Sequence, residues 1–223
     1  MVQPEIAHGP KWRRMPEERP RQILDAAFET FAEHGLASAR LDDIAKRAGV
    51  SKGTIYLYFP SKEDLFREVV RHTVGDAIDE AERRLSGETA LDDLNSFMDA
   101  HWRFLCSAKY PPLQRWVHSE LSAYPELATF YGQEVIGRGR RLLRSIIERG
   151  MESGEFRRMD PAVAARMLVA LFATYGNWRH KPALCDSISG KSDRELLEEI
   201  KLFYLHAIRP ASDTSIAHSP SIS

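Results

Sequence analysis

The sequence predicts an all-α protein of about nine helices, with a three-helix helix-turn-helix domain near its N-terminal end and a larger helical body behind it. Three observations predict this. Apolar residues recur at three- and four-residue spacing along most of the chain, and no segment of note alternates apolar with polar residues as a half-buried strand does. Capping signatures open one periodic run after another: Ser61 with Asp64, Thr89 with Asp92, Asp160 before Pro161, Ser192 with Glu195. The 223 residues are 43% hydrophobic and 28% charged, the balance of a folded globular protein rather than of a disordered chain.

Residues 1–20 mix Pro, Gly and charge, including Lys11, Arg13, Arg14 and Arg19, and read as a flexible arm. It is either a plain leader or a basic arm that adds phosphate or minor-groove contacts. Residues 21–66 are the expected helix-turn-helix domain. Arg21 to His34 forms its first helix, with Leu24, Ala27, Phe28 and Phe31 on one face and Gly35 ending it. The stretch from Leu41 to Lys62 then reads as two short helices around a corner. Ile44, Ala45 and Ala48 give the first a narrow apolar face, Gly49 supplies a left-handed turn, and Ser51 caps the second.

In that second helix Ile55 and Phe59, four residues apart, point into the core. The opposite face presents Gly53, Thr54 and Leu57, flanked by Tyr56 and Tyr58, with Lys52 near the start. Two tyrosines and a leucine suit an ordinary wet face poorly. Phenol hydroxyls bond phosphate oxygens, an apolar side chain touches a thymine methyl in the major groove, and a glycine lets the backbone approach a duplex. Lys52, Lys62 and the N-terminal amides beside Ser51 favour phosphate. The alternative is a structural helical corner with incidental aromatics.

Residues 67–208 form the expected body. After Pro60 the Ser61 cap opens a long helix carrying Leu65, Phe66, Val69, Val70, Val74, Ala77, Ile78, Ala81 and Leu85, about 36 Å of rod stopped by Gly87. A helix from Thr89 to about Ser107 follows, and Tyr110-Pro111-Pro112 breaks it. A short helix from Leu113 to about Ser122 comes next, then a long one opened by Pro125 and closed by Gly154. Asp160-Pro161 starts AVAARMLVALFATYGNW, and Ser192 with Glu195 caps LLEEIKLFYLHAI, which ends before Pro210. Residues 209–223, rich in Ser and Pro, read as a disordered tail.

The run DDIAKRAGVSKGTIYLYFPSKEDLF, preceded by ILDAAFETFAEHG, resembles the N-terminal domain of the TetR (tetracycline-repressor) family of bacterial one-component regulators. The resemblance spans about Arg21 to Val70 without a gap. It implies a DNA-binding head, an all-helical ligand-binding and dimerisation domain, and repression released by a small molecule. Arg40 departs from it, standing where family members often carry a threonine that caps the first helix of the motif. The cap moves to Ser38 or is lost, and Arg40 is free to meet a phosphate. The candidate DNA contacts are therefore Arg40, Ser51, Lys52, Gly53, Thr54, Tyr56, Leu57, Tyr58 and Lys62.

Met167 to Trp178 is so continuously apolar that it must be covered on more than one side. It is either monomer core or, with the last helix, half of a four-helix homodimer interface, which we expect through Leu171, Trp178, Leu196, Ile200 and Phe203. A helix-turn-helix dimer reads a palindromic double-stranded operator at half-sites ~34 Å apart. For the small-molecule effector, Trp102, Trp116, Tyr131, Phe172 and Tyr175 come from four predicted helices, and the resemblance implies a cavity between such helices. With Glu120, His101 and His118 as polar groups they suit an apolar or aromatic effector, or else are plain core.

Net charge is −1, so wholesale coating of nucleic acid is excluded. Residues 1–62 hold ten Lys/Arg against eight Asp/Glu and the remainder 21 against 24, a mildly basic head and an acidic body. Cys106 and Cys185 form no CxxC, and with no HExxH, GxSxG, P-loop or GxGxxG motif we expect no cofactor, no metal and no enzyme. Gly137-Arg138-Gly139-Arg140-Arg141 looks like a basic tract but lies inside a helical pattern, where it reads as a wet, locally weak face. No run approaches the ~20 apolar residues of a membrane span, and a cytoplasmic location is expected. A helical adaptor that binds protein alone is the other rival.

Overall fold

In the computed structural model residues 18–210 are described, except for the side chains of residues 120–123 and 182. The expected arm and tail therefore fall almost wholly outside the described residues. Among those described there is no strand, and the chain is all-α. It runs α1 (Glu18–Ser38), α2 (Leu41–Ala48), α3 (Lys52–Tyr58), α4 (Lys62–Arg83), α5 (Ala90–Cys106), α6 (Tyr110–Ala123), α7 (Pro125–Phe130), α8 (Gly137–Ser153), α9 (Pro161–His180) and α10 (Asp193–Ile208). A π-helical stretch, Tyr131–Ile136, joins α7 to α8, so Pro125 to Ser153 is one rod as the capping pattern predicts. Two compact units meet along the chain at Val69 and Val70.

In the first unit Ile23, Ala27 and Phe31 of α1, Ile44 of α2, Ile55 of α3 and Leu65 and Phe66 of α4 are buried. Phe31 and Phe66 meet edge to face at 5.4 Å. Leu24 and Phe28, expected on the buried stripe, are only half-buried, because that stripe turns toward Ile23, Ala26 and Thr30. Gly35 does take a positive φ (74°), yet the chain makes one more turn to Ser38 because Leu36 is fully buried and anchors it. α2 has no side-chain cap: Arg40 holds the cap position in extended backbone, and Asp42 and Asp43 in the first turn face the positive helix end instead.

The second unit packs α5, α8, α9 and α10 around Leu94, Met98, Leu143, Ile147, Leu168 and Phe172. α5 ends at Cys106, before Tyr110-Pro111-Pro112 as expected, but these three residues open α6 ahead of the expected start at Leu113, since first-turn positions need no amide hydrogen. The N-terminus of α5 has two capping groups. Thr89 Oγ1 accepts from the Asp92 amide at 3.0 Å, and the Glu155 carboxylate accepts from the Ala90 and Leu91 amides at 3.1 and 2.9 Å.

Asp93, wholly buried, holds the α4–α5 corner. Its carboxylate accepts from the Ser86 and Gly87 amides at 2.8 and 3.2 Å and pairs with Arg149 of α8. Burial pushes this carboxyl up, but the Gly87 amide, Arg149 and the Ser86 amide together outweigh burial and hold it below the ordinary carboxylate range. The contribution is thus whole above the unfolded value of about 4 and is lost as pH falls through the lower, folded value. We expect Asp93→Ala to cost about 1–3 kcal/mol in urea unfolding at neutral pH, and the gap from the parent protein to narrow in acid.

Candidate nucleic-acid interface and ligand cavity

α3 is seven residues long, too short to persist in water by itself, and it is held by its two inward anchors. Ile55 is fully buried and Phe59, its C-terminal cap residue, is 6% exposed. Ser51 Oγ accepts from the Thr54 amide at 3.1 Å and sits 2.8 Å from Thr54 Oγ1, which fixes the start of the helix. The outward side is then set by helix geometry: Tyr56 is 49% exposed, Leu57 77% and Tyr58 38%. Neither phenol hydroxyl makes a hydrogen bond among the described residues.

Gly53 has ordinary negative φ, and a Cβ built there would meet only Ser51 Oγ, at 3.7 Å. Nothing within the fold asks for glycine at that point. Lys52 pairs with Asp42 at 3.0 Å, both exposed, a bond that water and salt screen heavily. Arg40 is exposed. Lys62 departs from its expected role: it is half-buried, and its ammonium donates to the carbonyls of Ala37 and Ala39 at 3.1 and 3.3 Å. It staples the start of α4 to the end of α1, where the carbonyls lack helical partners.

The second unit encloses a cavity of about 280 Å³. Its walls are apolar side chains of α4 (Val74, Ala77, Ile78, Ala81), α5 (Phe97, Phe104), α6 (Leu113, Val117) and the π stretch (Val135). Polar groups on the wall are His101, Tyr110, Gln114, His118, Tyr131 and the exposed Arg140. His101 stacks on Phe97 (centroids 5.8 Å, planes 8° apart) and meets Phe172 edge-on at 5.1 Å. Burial lowers its imidazole to about 4, so it is neutral at physiological pH. Tyr131 is pushed up to about 12 by burial and by Tyr110.

Of the described side chains expected to hold an effector, Tyr131 alone lines this cavity, together with His101 and His118. Trp102 is core, its indole donating to the Asp193 carbonyl at 2.8 Å, and Phe172 is core behind His101. Trp116 is buried away from the cavity wall, Tyr175 faces elsewhere, and the Glu120 side chain lies outside the described ones. Trp102, Trp116 and Phe172 fill the core, whereas the space is left open by the shorter side chains of Val74, Ala77, Ile78 and Ala81 on α4 and of Leu113 and Val117 on α6, which in the sequence look like any core position.

The third feature is an apolar groove between α9 and α10, lined by Met159, Val163, Met167, Leu171, Tyr175, Trp178 and Phe203. Met167 is 53% and Phe203 67% exposed, with Leu202 beside it at 65%. Leu196 and Ile200, expected on this face, are instead 1% and 2% exposed in the monomer core, one helical face round from Phe203. The basic tract is absorbed into the fold: Arg138 pairs with Asp79 at 2.7 Å and with Glu82. Among the described residues no His/Cys/Asp/Glu cluster fits a metal, and no helix is long and apolar enough to cross a membrane.

Comparison with known proteins bears on both units. Residues 23–69 match the family model of bacterial regulatory proteins of the tetR family, and residues 92–207 that of the C-terminal domain of AefR-like transcriptional repressors. The fatty acid metabolism regulator protein of Bacillus subtilis (strain 168) is 30% identical over 161 residues, 69% of this chain and 80% of that protein. Among solved structures, the fatty acid degradation regulator FadR from Bacillus halodurans superposes with a TM-score of 0.70 at 27% identity, covering 86% of this chain and 96% of that one. FadR from Bacillus subtilis in complex with stearoyl-CoA does so with 0.65 at 28% identity, covering 81% and 96%.

The two faces of α3 make opposite expectations for stability. Ile55→Ala should cost about 2–5 kcal/mol by thermal or urea unfolding, whereas Leu57→Ala should stay within about 0.5 kcal/mol of the parent protein.

Proposed function

Because the chain belongs to the tetR family of bacterial regulatory proteins, whose members here are regulators rather than enzymes, we propose that it is a homodimeric repressor. In this reading it leaves its palindromic operator when a small apolar or aromatic molecule fills the cavity. The observation that carries the DNA half is the outward face of α3, where Tyr56, Leu57 and Tyr58 stand in water beside a glycine that the fold does not require. A base-reading helix uses these groups: hydroxyls toward phosphates, an apolar tip toward a thymine methyl, and a bare backbone for close approach. Arg40 and Lys52 supply charge at the edge of that face. Lys62, being engaged at Ala37 and Ala39, is left out of the contact set.

The dimer half rests on the α9–α10 groove. Met167, Leu202 and Phe203 form with Leu171 and Trp178 an apolar surface that a single copy leaves wet. A second copy placed across a two-fold axis covers it with its own α9 and α10 and yields a four-helix contact. The effector half rests on the cavity and on the Bacillus subtilis relative that takes stearoyl-CoA. Val74, Ala77, Ile78 and Ala81 of its wall belong to α4, the chain segment that begins just after α3. A ligand that fits better with α4 in one position than another shifts the population toward that position, which is the whole of the coupling required.

Selection of binding sequences from random DNA supplies an operator for fluorescence anisotropy. Tyr56→Ala and Thr54→Ala should each weaken that complex by roughly five- to 150-fold, the worth of about 1–3 kcal/mol per contact, without loss of helical signal. Phe203→Glu should turn a dimer into a monomer by sedimentation and abolish tight operator binding. A parent protein that shows no sequence preference in DNA binding, or that sediments as a monomer while binding its operator, would falsify this reading.

A further inference from the structure

The cavity also constrains what enters it, and this inference rests on the reading of that cavity as the effector site. At about 280 Å³ the cavity lies at the small end of the range for ligand pockets, roughly 300–1,000 Å³. Most of the wall is apolar, and among the described residues its one permanently charged side chain, Arg140, is exposed. His101, by contrast, lines the cavity beside Phe97 and Phe172 and makes no hydrogen bond among the described residues. A purely hydrocarbon ligand would strip water from that imidazole and leave it without a partner, which costs free energy.

We propose that the effector is a compact, uncharged molecule, apolar except for a hydroxyl or carbonyl group that exchanges a hydrogen bond with the His101 imidazole. A neutral imidazole serves either partner, because one ring nitrogen donates and the other accepts. The stack on Phe97 holds the ring plane, so the direction of that bond is fixed before the ligand arrives. Phe97 packs the flat face of the ring, Phe172 meets it at a steep angle, and neither phenyl carries a group that competes for its nitrogens.

The test is calorimetric titration of the full chain with three probes: 4-propylphenol, which is of about the right size, propylbenzene, the same shape without the hydroxyl, and stearoyl-CoA. The phenol should bind about tenfold more tightly than propylbenzene, and in His101→Phe that ratio should fall to about one with propylbenzene binding retained. In the unsubstituted protein, 4-propylphenol should shift the His101 imidazole nitrogen resonance and propylbenzene should not, a readout that stands even if the variant fails to fold. Equal affinity for the two compact probes, binding of neither, or a ratio unchanged in His101→Phe would overturn the proposal. Calorimetry needs no DNA, so a failure of operator binding would strike the regulator reading alone. Operator release by stearoyl-CoA would keep a ligand-released regulator and overturn this proposal.

Discussion

A seven-residue helix gains too little from its own hydrogen bonds to survive in water, so α3 exists only because Ile55 and Phe59 are sunk in the core of the first unit. That burial dictates the rest. With two side chains inward at four-residue spacing, the 100° advance per residue leaves Gly53, Tyr56 and Leu57 outward. Ser51 at the cap sets where the helix starts, and Gly49 at φ 64° sets the direction in which the chain arrives. The outward residues add nothing to the core, so their apolar character is a cost to the isolated molecule that only a partner offsets.

The second unit faces a different constraint, to keep a space open inside a packed core. Interiors close up wherever side chains allow, because each lost contact forfeits dispersion energy. Here alanine and valine on α4 and leucine and valine on α6 are too short to close the gap. The rod from Pro125 to Ser153 also loosens beside it into a π stretch that contains Gly132 and is followed by Gly137. Extra residues per turn and missing side chains weaken the helix locally, and π segments recur at sites that bind ligands. The same rod is held to α4 by Arg138 on Asp79 and Glu82, and the Tyr131–Ile136 stretch by Arg71 on Glu134 at 2.6 Å. The ion pairs therefore tie together two of the elements that line the cavity.

The α9–α10 face shows how one helix serves two surfaces. Leu196, Ile200 and Tyr204 fasten α10 to the core, with the Tyr204 hydroxyl donating to the Ala164 carbonyl at 2.8 Å. Leu202 and Phe203 are carried round to the other side. A helix apolar on both sides has two surfaces to bury, and the monomer covers one.

Local chemistry alone determined several of the helix starts: Ser51, Thr89, Asp160 and Ser192 cap as their residue types and spacing demand, because a cap is a bond between neighbours in the chain. It also determined which side of α3 faces out, since an i, i+4 pair is visible in the string of letters. What it left open depends on distant residues. Glu155 reaching the amides of Ala90 and Leu91, Lys62 drawn to the carbonyls of Ala37 and Ala39, and Asp93 holding the Ser86–Gly87 corner with Arg149 each join parts that only folding brings near. Whether an aromatic lines a cavity or fills a core is decided in the same way. Trp102 and Phe172 are swallowed and Tyr131 is left on a wall because hydrophobicity drives all three inward alike, and only the volumes of their neighbours separate them.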